Sequence, residues 1–153
     1  DAEGRLVLFD NICLAEEQNP NYDEMFSFAT LTGSAVVQFG SEVCGMVGFN
    51  NKMKKRVQKV GRKKGELFEN ASFHKYMLNA VDDTLADLSN TGTPNQGCQK
   101  AGLFLTKAVK EENLNKFLHL DIAGPAFSEK GFGSNSAGGT GFAVRTFIDY
   151  LTK

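Results

Sequence analysis

Tryptophan is absent from this 153-residue sequence, histidine occurs only twice and cysteine three times. Each scarcity removes a class of protein. No apolar run approaches the ~20 residues that a bilayer-spanning helix needs, so no membrane partner is expected. The opening Asp-Ala-Glu-Gly-Arg has neither the basic stretch nor the apolar core of a secretory leader. Cys13, Cys44 and Cys98 are odd in number, widely spaced and without a Cys-x-x-Cys pair. They predict reduced thiols in a cytoplasmic protein, filling apolar space, and no disulfide framework. His74 and His119 do not make a His-Glu-x-x-His zinc helix. The glycines near the C-terminus match neither a phosphate loop nor a dinucleotide fingerprint, and no Gly-x-Ser-x-Gly elbow offers a serine nucleophile.

What remains is an ordinary globular composition, 41% apolar and 23% charged, with 13 phenylalanines. The length suits one domain with a core of its own. Strand-like and helix-like segments alternate, which predicts an α/β architecture. Residues 5–9 read as an entering strand or extended arm, followed by a helix that Asp10 caps and Pro20 ends. Residues 25–30 read as a buried strand, 31–34 as a turn opening a helix over 35–39, and 43–49 as a second strand. Met53, Val57 and Val60 form a narrow apolar stripe on a helix. Tyr76, Met77, Val81 and Leu85 suggest a helix or two short pieces within 66–95. Residues 90–97 have loop chemistry. Ala101, Phe104, Leu105 and Ala108 mark a helix face, and 116–123 is the clearest strand. Six glycines between 124 and 141 predict a long loop. Thr140 is expected to cap a last helix that buries Phe142, Phe147 and Leu151. There is no internal repeat and no linker.

The net charge of −1 is unevenly spread, because eight of the 17 basic residues lie between 51 and 65 with no acid among them. A helix of this kind is a candidate for salt-dependent, sequence-blind nucleic-acid binding. The pI near 6.2 and the lack of interleaved aromatics speak for a solvated face instead, with no nucleic-acid partner.

Three clusters could carry chemistry. In an extended chain Asp1, Glu3 and Arg5 point to one side. Two carboxylates would then offer hard oxygen ligands to divalent cations, and the guanidinium a seat for an anion. The plain alternative is an exposed group of charges. Residues 29–33 follow a strand and precede a helix, leaving backbone groups for a substrate or simply forming a capped turn. His119 and Asp121 share one face of a strand, where a lone histidine usually serves as a core hydrogen-bonder.

Taken in order, Asp-Ala-Glu-Gly-Arg-Leu-Val-Leu at 1–8, Ala-Thr-Leu-Thr-Gly at 29–33, Ala-Asp-Leu at 86–88 and His-Leu-Asp-Ile-Ala-Gly at 119–124 resemble the leucyl aminopeptidase (cytosol aminopeptidase) family. Gly-Thr-Gly-Phe-Ala-Val-Arg at 139–145 resembles that family's closing segment, so the likeness runs to about residue 151. It implies a mixed β-sheet flanked by helices on both faces, the C-terminal portion of a di-metal aminopeptidase catalytic domain. Residues 1–153 would form one partial catalytic domain, with an N-terminal domain and the first half of the catalytic domain absent. By the same resemblance Asp1 ligates one metal ion, Glu3 bridges two, and Arg5 binds the bicarbonate that serves as general base. Thr30, Leu31 and Gly33 would line the substrate site. The implied cofactors are two divalent ions, zinc or manganese, and the implied reaction is removal of N-terminal, preferably apolar, residues from peptides. The family's hexamer is carried over as an expectation. Its further ligands, one lysine and two aspartates, and its catalytic lysine match nothing in this sequence. These residues alone are therefore expected to be inactive. Gly92 to Lys100 also departs from the family's pattern, which bears on pocket shape. The competing reading is a catalytically silent scaffold or binding module.

Overall fold

The computed structural model describes residues 2–91 and 95–152. Helix α1 (Ala2–Gln18) leads into β1 (Met25–Ala29), α2 (Gly33–Phe39), β2 (Val43–Gly48), α3 (Asn51–Lys64) and β3 (Leu67–Asn70). A 3-10 turn at Lys75–Asn79 precedes α4 (Gly97–Thr106), and another at Glu111–Lys116 precedes β4 (Phe117–Asp121). A two-residue hairpin, β5 (Phe127–Ser128) with β6 (Gly138–Gly139), interrupts the glycine-rich loop before α5 (Val144–Leu151).

The main sheet has the order β1-β4-β2-β3. β1 runs parallel to β4 and β2 parallel to β3, while β2 and β4 are antiparallel, so the sheet is mixed as expected. Period-two alternation on β4 divides the core between the two faces. Leu118 and Leu120 pack with Met53, Val57, Phe147 and Tyr150 from α3 and α5. Phe117 packs on the other face with Ile12, Ala101 and Phe104 from α1 and α4.

Several sequence expectations need correction. Residues 5–9 are not a strand or arm but the first half of α1, and Asp10 lies inside that helix. The buried or half-buried positions Leu8, Phe9, Ile12, Cys13 and Glu16 have helical spacing. Leu6, Val7 and Leu14, which face solvent, hide that stripe in the sequence. Within 66–95, β3 was unforeseen, and the expected helix shrinks to the 3-10 turn. Met77 and Val81 are buried, but Tyr76 and Leu85 are exposed.

Thr140 does not cap α5. Its hydroxyl donates to the Pro125 carbonyl at 2.5 Å and accepts from the Phe142 amide. Glu66 does the capping: its carboxylate accepts from the amides of Ala143 and Thr146 at 3.2 and 3.1 Å. Leu151 is exposed and Tyr150 takes the buried place assigned to it. The three cysteines are free, and Cys44 and Cys98 are fully buried.

Candidate functional site

The polar centre of the molecule lies where β1 and β4 end. Asp121, fully buried, closes β4 and faces the turn between β1 and α2. Its Oδ1 accepts from the backbone amides of Leu31, Thr32 and Ala123 at 3.1, 3.4 and 3.2 Å. Its Oδ2 accepts from the Thr32 hydroxyl at 2.7 Å. The same hydroxyl oxygen accepts from the Ala35 amide and so caps α2. Burial raises the Asp121 pKa, and these donors work against the shift. One carboxylate thus fixes a turn that lies 90 residues away in the chain.

The amides of Leu31 and Thr32 are therefore already engaged, contrary to the expectation of free backbone groups there. Leu31 itself is a core side chain at 5% exposure. Thr30 and Gly33 remain at the surface. Gly33 borders a cavity of about 590 Å³ together with Val37, Gln38 and Gln96.

Arg5 reaches inward from α1. Its Nη1 donates to the Asn90 carbonyl at 2.5 Å, and Asn90 Nδ2 donates back to the Ala2 carbonyl at 2.6 Å. Burial lowers the Arg5 pKa, while the charge on Asp121 raises it. His119, on the same face of β4 as Asp121, shares a hydrogen bond of 3.2 Å between Nδ1 and Ser27 Oγ. Its pKa is pushed down to about 3, first by burial and then by Arg5. It is the core hydrogen-bonder that its isolation suggested. Four buried polar atoms have no protein partner among the described residues: Arg5 Nε, Asn90 Oδ1, Gln99 Oε1 and His119 Nε2.

The metal ligands expected from the sequence fare differently. Asp1 lies outside the described residues. Glu3 is exposed on the first turn of α1. Because that segment is helical, Glu3 and Arg5 are turned apart by about 200° and do not share a side as an extended chain would have them. No group of three His, Cys, Asp or Glu side chains able to hold a metal occurs among the described residues. The described residues alone do not fit a divalent-cation pair. An anion beside Arg5 is a different matter, since its buried Nε is a donor without a protein acceptor.

A family model described as the catalytic domain of the cytosol aminopeptidase family matches residues 1–148. The chain belongs to that family. A probable cytosol aminopeptidase of Helicobacter hepaticus is 40% identical over 152 residues, covering 99% of this chain and 32% of the relative. Among solved structures, the bottromycin maturation enzyme BotP in complex with Mn superposes with a TM-score of 0.88 at 31% identity. That likeness covers 99% of this chain and 33% of BotP. A mutant tomato leucine aminopeptidase gives a TM-score of 0.86 at 31% identity, covering 99% of this chain and 28% of its own. The chain thus spans about a third of the length of the curated relatives it matches. Among the described residues, no helix is long and apolar enough to cross a membrane.

The resemblance gave no role to Asp121, Asn90 or Gln99. For Asp121 a signal existed, the His-Leu-Asp alternation that sets it beside His119. Asn90 and Gln99 carried none, since loop asparagines and helical glutamines are common on surfaces.

Proposed function

We propose that the protein carrying this chain is a metal-dependent leucyl aminopeptidase that removes N-terminal, preferentially apolar, residues from peptides. In this reading the chain forms a late part of the catalytic domain, acts in the cytoplasm and assembles as a homo-hexamer. Asp1 and Glu3 contribute ligands to two divalent ions, zinc or manganese. Such ions polarise the scissile carbonyl and lower the pKa of water when bound. The other ligands come from elsewhere in the intact protein, because the described residues do not complete the set. Arg5 would hold bicarbonate, which when bound would supply a general base, and Thr30 and Gly33 would line the peptide site on the turn that Leu31 anchors in the core.

Family membership supports the activity, and one structural observation supports the roles. The inward-facing, half-buried Arg5, its Nε unpaired, belongs to the same buried polar cluster as Asp121, which fixes the Thr30–Gly33 turn. That arrangement suits an anion seated next to a substrate-binding turn.

The test is hydrolysis of leucine p-nitroanilide by the intact protein. A chelator is expected to abolish it and manganese or zinc to restore it. Arg5→Ala is expected to lower kcat on the order of 100-fold, the usual contribution of a positioned general base. Turnover that survives both chelation and the Arg5 substitution would defeat the reading.

A further inference from the structure

One residue of α3 departs from the solvated face that its sequence suggests. Lys54 is only 6% exposed. Its ammonium donates to the Gly48 carbonyl at 3.0 Å and to Asn70 Oδ1 at 2.9 Å, both neutral acceptors. Among the described residues no carboxylate pairs with it, whereas Arg56 pairs with Glu24 and Lys64 with Asp149. Its pKa is lowered by burial, with no neighbouring charge acting against the shift. An ammonium has three protons to donate, and two are placed. Burying a charge without a counter-ion is costly, so a position of this kind needs a physical reason.

Lys54 lines a cavity of about 280 Å³. Phe49 and Phe73, packed edge to face at 5.4 Å, form its apolar side. Asn51, Asn70 and Ser72 form its polar side. Asn70 Nδ2 donates to Ser72 Oγ at 2.9 Å, so the Ser72 hydroxyl proton and the Asn51 amide are donors additional to the ammonium. No acidic side chain lines the cavity. The cavity opens at the start of α3, whose dipole favours negative charge, although Asn50 already accepts from the Lys52 and Met53 amides. It is also remote from the Asp121 cluster. In the antiparallel pairing of β2 and β4, Gly45 stands opposite Asp121 while Gly48 stands opposite Leu118, so the two sites lie toward opposite ends of the sheet.

We propose that this cavity binds a small oxyanion, a phosphate or a carboxylate, separately from the peptide-hydrolysing site. Lys54 supplies the compensating charge, Ser72 and Asn51 orient the oxygens, and Phe49 and Phe73 cover an apolar remainder of the ligand. Lys52 and Lys55, exposed on the same helix, add positive potential that favours anion approach. The inference does not depend on the aminopeptidase reading.

Calorimetric titration of the intact protein tests it, with inorganic phosphate and acetate as separate probes and chloride as the control at constant ionic strength. Saturable binding of phosphate or acetate, but not chloride, is expected. Phosphate alone assigns the site to phosphates, and acetate binding of equal or greater strength assigns it to carboxylates. Lys54→Met is expected to weaken the binding at least tenfold and Ser72→Ala several-fold. Ser72 is exposed, so the second variant decides the matter if Lys54→Met does not fold. Absence of saturation by both probes overturns the proposal. So does binding that Ser72→Ala and any folded Lys54→Met leave at wild-type strength, because the anion would then sit elsewhere.

Discussion

Two buried titratable residues on one face of β4 do opposite work. His119 is held neutral, its pKa near 3 against 6.5 for an unperturbed histidine. As pH falls, the unfolded chain takes up the proton first. The stability linked to this group is therefore complete above pH 6.5 and is lost as pH falls toward 3. At pH 5 the loss amounts to about 2 kcal/mol. His119→Asn keeps a polar partner for Ser27 and does not titrate. Urea unfolding at pH 7 and pH 5 should show an acid destabilisation smaller than wild type by about that amount, and an unchanged pH dependence would refute the assignment. Asp121 instead acts as an acceptor for three backbone amides and one hydroxyl. Asp121→Ala strands buried donors at the turn, with an expected cost on the order of 3 kcal/mol. The denaturation midpoint of the variant measures it, and a loss below about 1 kcal/mol would mean that the turn holds itself.

At the scale of elements, α4 packs closely on β2. A Cβ on Gly102 would meet Val47 Cβ at 2.4 Å, and Val47 is fully buried. Gly102→Ala gains about 1 kcal/mol of helix propensity. It then forces a β-branched core residue to move, at about 1–3 kcal/mol. A net fall in Tm is expected. Gly33→Ala is the control, because nothing lies within 4 Å of its added Cβ and its helical gain goes unopposed. Should Gly102→Ala stabilise as the control does, the packing has more slack than the geometry indicates. Continuous apolar runs made β2 and β4 legible in the sequence, and helical spacing the stripe of α3 and the inward face of α4; β1 was found as a strand, but it is a largely half-buried edge strand and not the buried one expected. β3 was not legible, since Phe68 is its one buried residue and a single position has no period. The α5 cap was not legible either, because Glu66 lies 77 residues before Ala143. The same limit applied at the site. Local spacing placed His119 beside Asp121 and found the Thr30–Gly33 turn, but the bond joining them closes only in the folded sheet.

For the whole molecule the decisive feature is how few metal-ligating groups the described residues bring together. Among the described residues, β1 forms one edge of the sheet and pairs only with β4. Within it Phe28 is 39% exposed, and on α1 Leu6, Val7 and Leu14 are 47%, 60% and 48% exposed. The chain also spans about a third of its curated relatives, and no three-ligand metal cluster occurs among its described residues. A catalytic zinc or manganese site needs three or more protein ligands to hold its ion, so a shortfall in ligands weakens affinity before it alters chemistry. These 153 residues, produced alone, are therefore expected to bind zinc or manganese weakly and to leave leucine p-nitroanilide uncleaved, while the intact protein does both. Calorimetric metal titration separates the two steps. Weak metal binding with no turnover fits an incomplete cage. Tight binding with turnover near that of the intact protein would mean that these residues complete the cage by themselves, and the ligand assignment would have to be redrawn.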